Sequence, residues 1–139
     1  MKANELRIGN LVEFDNSVGV LDGISIHGEI ILEWKGSIID IFIEDIELIN
    51  PIPLTEEWLV RFGFYQSKNK WGNTFHLMNE DGITADFTVE HWTNTKESSP
   101  YKNYWLIDKL GKPRQYYHVH QLQNLYFALC GEELTLNNQ

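Results

Sequence analysis

One cysteine, Cys130, stands in a chain of 139 residues. It excludes an intrachain disulfide and any four-cysteine zinc site, and a reducing compartment is the natural reading. Long apolar runs are also missing. Runs such as Ile30-Ile31-Leu32 and Ile41-Phe42-Ile43 are far too short to span a bilayer. Met1-Lys2-Ala3-Asn4-Glu5 has no apolar stretch of the secretory kind. The expectation is therefore a cytoplasmic protein with no membrane partner. Neither a Gly-x-Ser-x-Gly elbow, a Gly-x-Gly-x-x-Gly fingerprint nor a phosphate loop occurs, so no cofactor is expected. Positive charge is scarce: 11 basic residues face 20 acidic ones, net −9. The first fifty residues hold ten acids and three bases, net −7. Such a field repels phosphate backbones and argues against duplex nucleic acid as a partner.

What is present is apolar material for a core. The hydrophobic content of 42% and aromatic content of 13% rule against disorder. Residues 1–50 read as short strands broken by glycine turns. Ile8 to Phe14, opening with a turn, and Val18 to Ile26 come first, with a turn at His27-Gly28. Ile30 to Trp34 follows, then a turn at Lys35-Gly36 and a strand from Ile38 to Ile43. One helical turn at Glu44-Asp45-Ile46 precedes a last strand at Glu47-Leu48-Ile49. Five short strands with a helical turn before the last predict an SH3-like small barrel. Asn50-Pro51-Ile52-Pro53-Leu54 is a stiff connector and the expected boundary.

Residues 54–139 are expected to form a second, α+β subdomain. Thr55 is a helix N-cap with Glu56 and Glu57 in the first turn; Trp58, Leu59 and Phe62 face inward, and Gly63 stops the helix. A β-meander follows. Its clearest strand alternates Ile83, Ala85, Phe87 and Val89 with Thr84, Asp86, Thr88 and Glu90. Tyr104 to Ile107 returns as a strand. A helix from about Tyr117 to Cys130 carries Val119, Leu122, Leu125, Tyr126, Leu129 and Cys130 as an apolar stripe, stops at Gly131, and is expected to pack on the meander. The fold class is α+β, mainly β. The expected core also includes Leu21, Ile24, Ile26, Leu32, Leu48, Phe75, Leu77 and Trp105.

Three phrases are distinctive as a set: Glu5-Leu6-Arg7-Ile8-Gly9-Asn10, Pro51-Ile52-Pro53-Leu54-Thr55-Glu56-Glu57-Trp58-Leu59, and His120-Gln121-Leu122-Gln123-Asn124-Leu125-Tyr126-Phe127-Ala128-Leu129. Together they resemble a group of small uncharacterised proteins of Bacteroidetes genomes and their phages and prophages. The resemblance implies a bacterial or phage cytoplasmic protein, an accessory factor of a mobile element, and brings no catalytic residues with it.

Four constellations could carry function. His118-Val119-His120 would chelate a metal on a strand, but at the start of a helix the two rings diverge, so no metal is expected. Asp86 and Glu90 share a strand face and, with His91 or His76, could form the acid–base pair of a small hydrolase; a solvated strand face is the competing reading. The segment 96–117 carries Lys96, Lys102, Lys109, Lys112 and Arg114 against Glu97 and Asp108, interleaved with Tyr101, Tyr104, Trp105, Tyr116 and Tyr117. Charge plus stacking would hold a small anionic ligand such as a nucleotide, with Lys102, Tyr104, Trp105, Lys112, Arg114 and Tyr116 as the binding residues; core aromatics and ordinary loop lysines compete. Finally, Phe127 falls off the helix stripe beside His120 and Asn124 and marks a surface for a protein partner, or else a helix packed on two sides. The sequence thus favours a non-catalytic binding protein over a small hydrolase.

Overall fold

A computed structural model describes residues 2–68, 73–78, 84–93, 103–107 and 117–136, with the backbone alone at 3, 68, 73, 78, 84–86, 92, 93, 103 and 104. The chain is mainly β and packs as two units. One comprises Met1–Pro53 with His118–Glu133, the other Leu54–Tyr117 with Leu134–Gln139.

The first unit is built on a five-stranded antiparallel sheet. Its strands are β1 (Leu11–Phe14), β2 (Ser17–Ile24), β3 (Glu29–Trp34), β4 (Ser37–Phe42) and β5 (Ile49–Asn50), in the order β4-β3-β2-β1-β5. Two hairpins close on two-residue turns with both residues at positive φ: Asp15 (47°) and Asn16 (61°), then Lys35 (48°) and Gly36 (78°). That backbone matches the twist of the flanking strands, and Asn and Gly adopt it at least cost. The sheet curls so that Leu6, Val12, Leu21, Ile30, Leu32, Ile41 and Ile49 form one core. Each such side chain contributes about 1.5–3 kcal/mol by leaving water. A 3-10 helix at Ile43–Leu48 turns the chain from β4 into β5; it contains the turn expected at Glu44-Asp45-Ile46 but also takes in Glu47 and Leu48, which were expected in the last strand. No described helix of this span is longer.

The second unit opens with α1 (Glu56–Arg61). The Thr55 hydroxyl accepts from the Trp58 N–H at 3.4 Å, and Gly63 ends the turn at φ 91°. The meander follows as β6 (Phe64–Lys68), β7 (Asn73–Met78), β8 (Thr84–Thr93) and β9 (Asn103–Ile107), paired in chain order. Register puts Phe64, Phe75, Phe87, Val89, Trp105 and Ile107 on one face, and all are buried.

Several expectations are corrected. The last helix, α2 (Val119–Cys130), packs with the first unit, against β1, rather than with the meander. A helical wheel shows an apolar stripe but not which sheet receives it. The side chain of Gln123 decides that, through hydrogen bonds to the backbone on either side of Asn10. The buried face is Val119, Leu122 and Tyr126 with the polar His120 and Gln123, while Leu129 and Cys130 in the last turn are exposed. Ile26 is 96% exposed because it belongs to the turn between β2 and β3. Ile24 lies beyond a bulge between Leu21 and Gly23, at the strand end, and Leu48 ends the 3-10 helix; both are largely exposed. Leu77 and Leu125 are half-buried, and Ile83 lies outside the described residues. Leu134 is buried but forms no strand.

Candidate functional site

The two most distinctive phrases of the sequence meet in space. The side chain of Gln123 is 2% exposed and bridges two backbone groups: Oε1 accepts from the Leu11 N–H at 2.8 Å and Nε2 donates to the Gly9 carbonyl at 3.0 Å. Asn124 accepts from the Asn10 amide at 2.8 Å and donates to the Glu5 carbonyl at 2.8 Å. Asn10 also accepts from the Arg7 N–H at 2.7 Å, and Gly9 sits at φ 94°. Arg7 reaches across with two nitrogens to the Glu133 carboxylate and lays its guanidinium 4.1 Å above the Phe127 ring. The arginine holds the Glu133 carboxyl below its ordinary value. Asn124 and Phe127, expected to face a partner, are thus occupied by the chain's own first segment.

His120 is 1% exposed, with both ring nitrogens unpartnered among the described residues. The nearest carboxylate oxygen, on Glu5, is 3.8 Å from Nε2, too far for a hydrogen bond. His118 is the N-cap of α2 and extended (φ −115°, ψ 156°), so its ring stacks on that of His120 at 5.8 Å and 15° instead of diverging as the sequence suggested. Parallel rings do not converge their lone pairs on one ion, and among the described residues no group of three His, Cys, Asp or Glu could hold a metal. Burial and the neighbouring His118 lower the His120 pKa below 6.5, outweighing the pull of Glu5. The unfolded chain therefore takes up a proton as pH drops below about 6.5 while the folded one does not. Stability should be greatest above that pH and fall below it by at most about 1.4 kcal/mol per pH unit, down to the lowered pKa. Urea unfolding of the protein and of His120→Gln between pH 5 and 8 checks this, the variant being expected to lose most of that slope.

In the second unit the hydrolase residues separate. Glu90 pairs with Thr74 and Leu106, so it lies on the face away from the core; His91, next in the strand, lies on the core face. There it stacks on Trp105 at 3.9 Å and 5°, and its Nδ1 is 3.1 Å from Glu56. His76 shares the Glu90 face, one cross-strand pair along, stacks on Tyr65 at 5.3 Å, and its Nε2 is 3.1 Å from the Ser67 hydroxyl. A Ser–His contact needs a third group to orient the imidazole for nucleophilic work. His76 Nδ1 has no such partner among the described residues. The Asp86 side chain lies outside the described residues.

Of the anion-binding set, Lys102, Lys112, Arg114 and Tyr116 lie outside the described residues, as does the side chain of Tyr104 in β9. Trp105 is buried against His91, so its faces are not offered to a ligand.

The surface that sequence reasoning missed is β4. It is an edge strand, and its outward residues Ile38 and Phe42 are 59% and 58% exposed, with exposed Asp40 between them. Ile26 and Ile43 are exposed at the same end as Phe42, since Ile43 donates to the Gly28 carbonyl at 2.7 Å. A signal was available: Ile38-Ile39-Asp40-Ile41-Phe42-Ile43 is apolar at both phases of a strand, so one phase must lie off the core. A pocket of about 360 Å³ by β1 and β5 is lined by Glu13, Asp15 and Glu47 with Phe14 and Leu48. It is acidic and unsuited to anions. No helix among the described residues is long and apolar enough to cross a membrane. The chain matches no protein-family model, no curated protein and no solved structure.

Proposed function

We propose that the chain is a non-catalytic interaction protein that binds a protein partner through the outer side of β4. The observation that carries this is the pair Ile38 and Phe42, two large apolar side chains more than half exposed on an edge strand. Scattered surface apolar residues are ordinary, but two on one strand with Ile26 and Ile43 at its end make a patch of the kind that marks a protein interface. The strand order, with a 3-10 helix before β5, supports reading the curled sheet as an SH3-like barrel. The resemblance of the three sequence phrases supports a cytoplasmic accessory role in a bacterium or phage. Of the partners open from sequence, the acidic surface favours a protein over a small anion.

Display of a random peptide library against the protein and against Ile38→Glu/Phe42→Glu tests the reading. Both positions are exposed, so the unfolding free energy should hold within about 0.5 kcal/mol. Peptides enriched on the parent should lose at least about ten-fold in affinity on the variant, the effect of one well-made contact. Equal enrichment on both, or none above bare support, would remove the β4 reading.

A further inference from the structure

We infer that the partner of β4 is an extended segment that adds to the sheet as a further strand and alternates apolar with basic residues. The inference rests on the proposed β4 interface and names its occupant.

Half of the backbone groups of β4 point away from β3. In an antiparallel pair, positions with two mutual hydrogen bonds alternate with positions that have none. The hairpin at Lys35-Gly36 closes on the pair Trp34–Ser37, and Ile43 donates to Gly28 at the far end of the same register. The bonded pairs are therefore Trp34–Ser37, Leu32–Ile39, Ile30–Ile41 and Gly28–Ile43. The N–H and C=O groups of Ile38, Asp40 and Phe42 then point to the open edge. They offer a ladder about 14 Å long at ordinary strand rise.

The residues of β4 also leave its edge unprotected. Sheet edges are commonly blunted by lysine, proline, a bulge or an inward charge. The β4 strand has none of these: it is six residues in unbroken register, and its one charge, Asp40, faces outward.

Charge selects the occupant further. The outward residues of β4 lie opposite Glu33, Ile31 and Glu29 of β3, giving a face of apolar positions set among carboxylates. No described cation forms an ion pair with Glu29, Glu33 or Asp40, and the nearby Lys35 ammonium rests over the Trp34 ring at 4.6 Å. An added strand with apolar residues beside Ile38 and Phe42 and a lysine or arginine beside Asp40 satisfies the edge, the apolar patch and the charge together. A second copy fits poorly. Two β4 strands paired antiparallel about Asp40 would oppose those carboxylates directly, between chains of net charge −9.

The experiment uses the whole protein and three synthetic peptides, each acetylated and amidated. The first is a heptapeptide with valine, lysine and valine at its even positions and threonine elsewhere. The second has glutamate in place of the lysine. The third keeps the lysine but carries N-methyl groups on the backbone positions that would face β4. Amide chemical shifts of the nitrogen-15-labelled protein are followed during titration, with sedimentation of the protein alone. The expected result is shifts centred on Ile38, Asp40 and Phe42, affinity for the lysine peptide at least about ten-fold above that for the glutamate peptide, and loss of binding on N-methylation. Asp40→Asn should narrow the lysine preference while leaving the melting temperature unchanged. Equal affinity for both charges, shifts centred elsewhere, or no binding by the lysine peptide would overturn the inference. So would a concentration-dependent dimer abolished by Phe42→Glu, since the edge would then belong to a second copy. Library peptides that depend on Phe42 yet lack basic residues would sink the occupant and keep the interface. Peptides indifferent to Phe42 would sink the interface itself.

Discussion

Gln123→Leu is expected to destabilise the first unit by about 2–5 kcal/mol, although leucine has nearly the same volume and is the better hydrophobe. The wild-type amide gives the Leu11 N–H an acceptor and the Gly9 carbonyl a donor, in a site closed to water. Leucine fills the space and satisfies neither. Two buried backbone groups are stranded, each costing about 1–3 kcal/mol, and the gain in hydrophobic transfer does not offset that. Asn124→Ala should cost less, about 1 kcal/mol, because its contacts to Asn10 and Glu5 are partly open to water. Urea unfolding with amide exchange read at β1 measures both. A Gln123→Leu protein as stable as the parent would mean that the bridge is incidental to how α2 is held.

Phe87→Ala is expected to cost about 3–5 kcal/mol in the second unit. The ring is fully buried in the middle of β8, with the Phe64 ring at 6.2 Å and 60°. Alanine removes the transfer free energy of most of the side chain and leaves a cavity in the buried face of the sheet. Val60→Ala is the control; Val60 is exposed on α1, and its truncation should shift stability by less than about 0.5 kcal/mol. Amide exchange at β7 and β8 localises the effect. A loss confined to β1–β5 would show that the meander does not depend on this ring.

Much of the fold could be read from the sequence because local chemistry dictates it. Lys35-Gly36, Thr55, Gly63 and Gly131 each declare a turn or a helix end through backbone preference, and each does what its residue type demands. The alternation of Phe87 and Val89 with Thr88 and Glu90 declares one buried face, and the strand obeys it. What escaped is non-local. The wheel of α2 gives the direction of an apolar stripe and cannot say that Gln123 and His120 also turn inward, since that depends on a backbone segment more than a hundred residues earlier. The same blindness made Phe127 look vacant when Arg7 covers it. Ile26 and Leu48 were misjudged for the opposite reason: their hydrophobicity was taken for burial, whereas a turn and a helix end leave them outside. The bulge at Leu21–Gly23 lies within an ordinary strand sequence and announces itself only through pairing.

The chain leaves the first unit after Pro53 and returns to it at His118. Val119 donates to the Ile52 carbonyl at 2.8 Å, Leu54 donates to the Tyr117 carbonyl at 2.9 Å, and Pro53 bridges His118 between them. The meander is therefore nested inside the other unit's sequence, and synthesis has a fixed order. When β5 leaves the ribosome, the helix that must receive the Leu11 N–H has not yet been made. The Leu54–Tyr117 stretch emerges first, and its contacts run mostly between neighbours in sequence, the kind that form fastest. Once folded, it holds its two ends side by side, and the separation between β5 and α2 shrinks from a long flexible loop to the span of one hydrogen-bonded pair. The entropy of bringing α2 home has then already been spent within the nested unit. A lesion in the meander that touches nothing in the five-stranded sheet should consequently delay the docking of α2 as well, because it reopens the loop that the folded meander had closed.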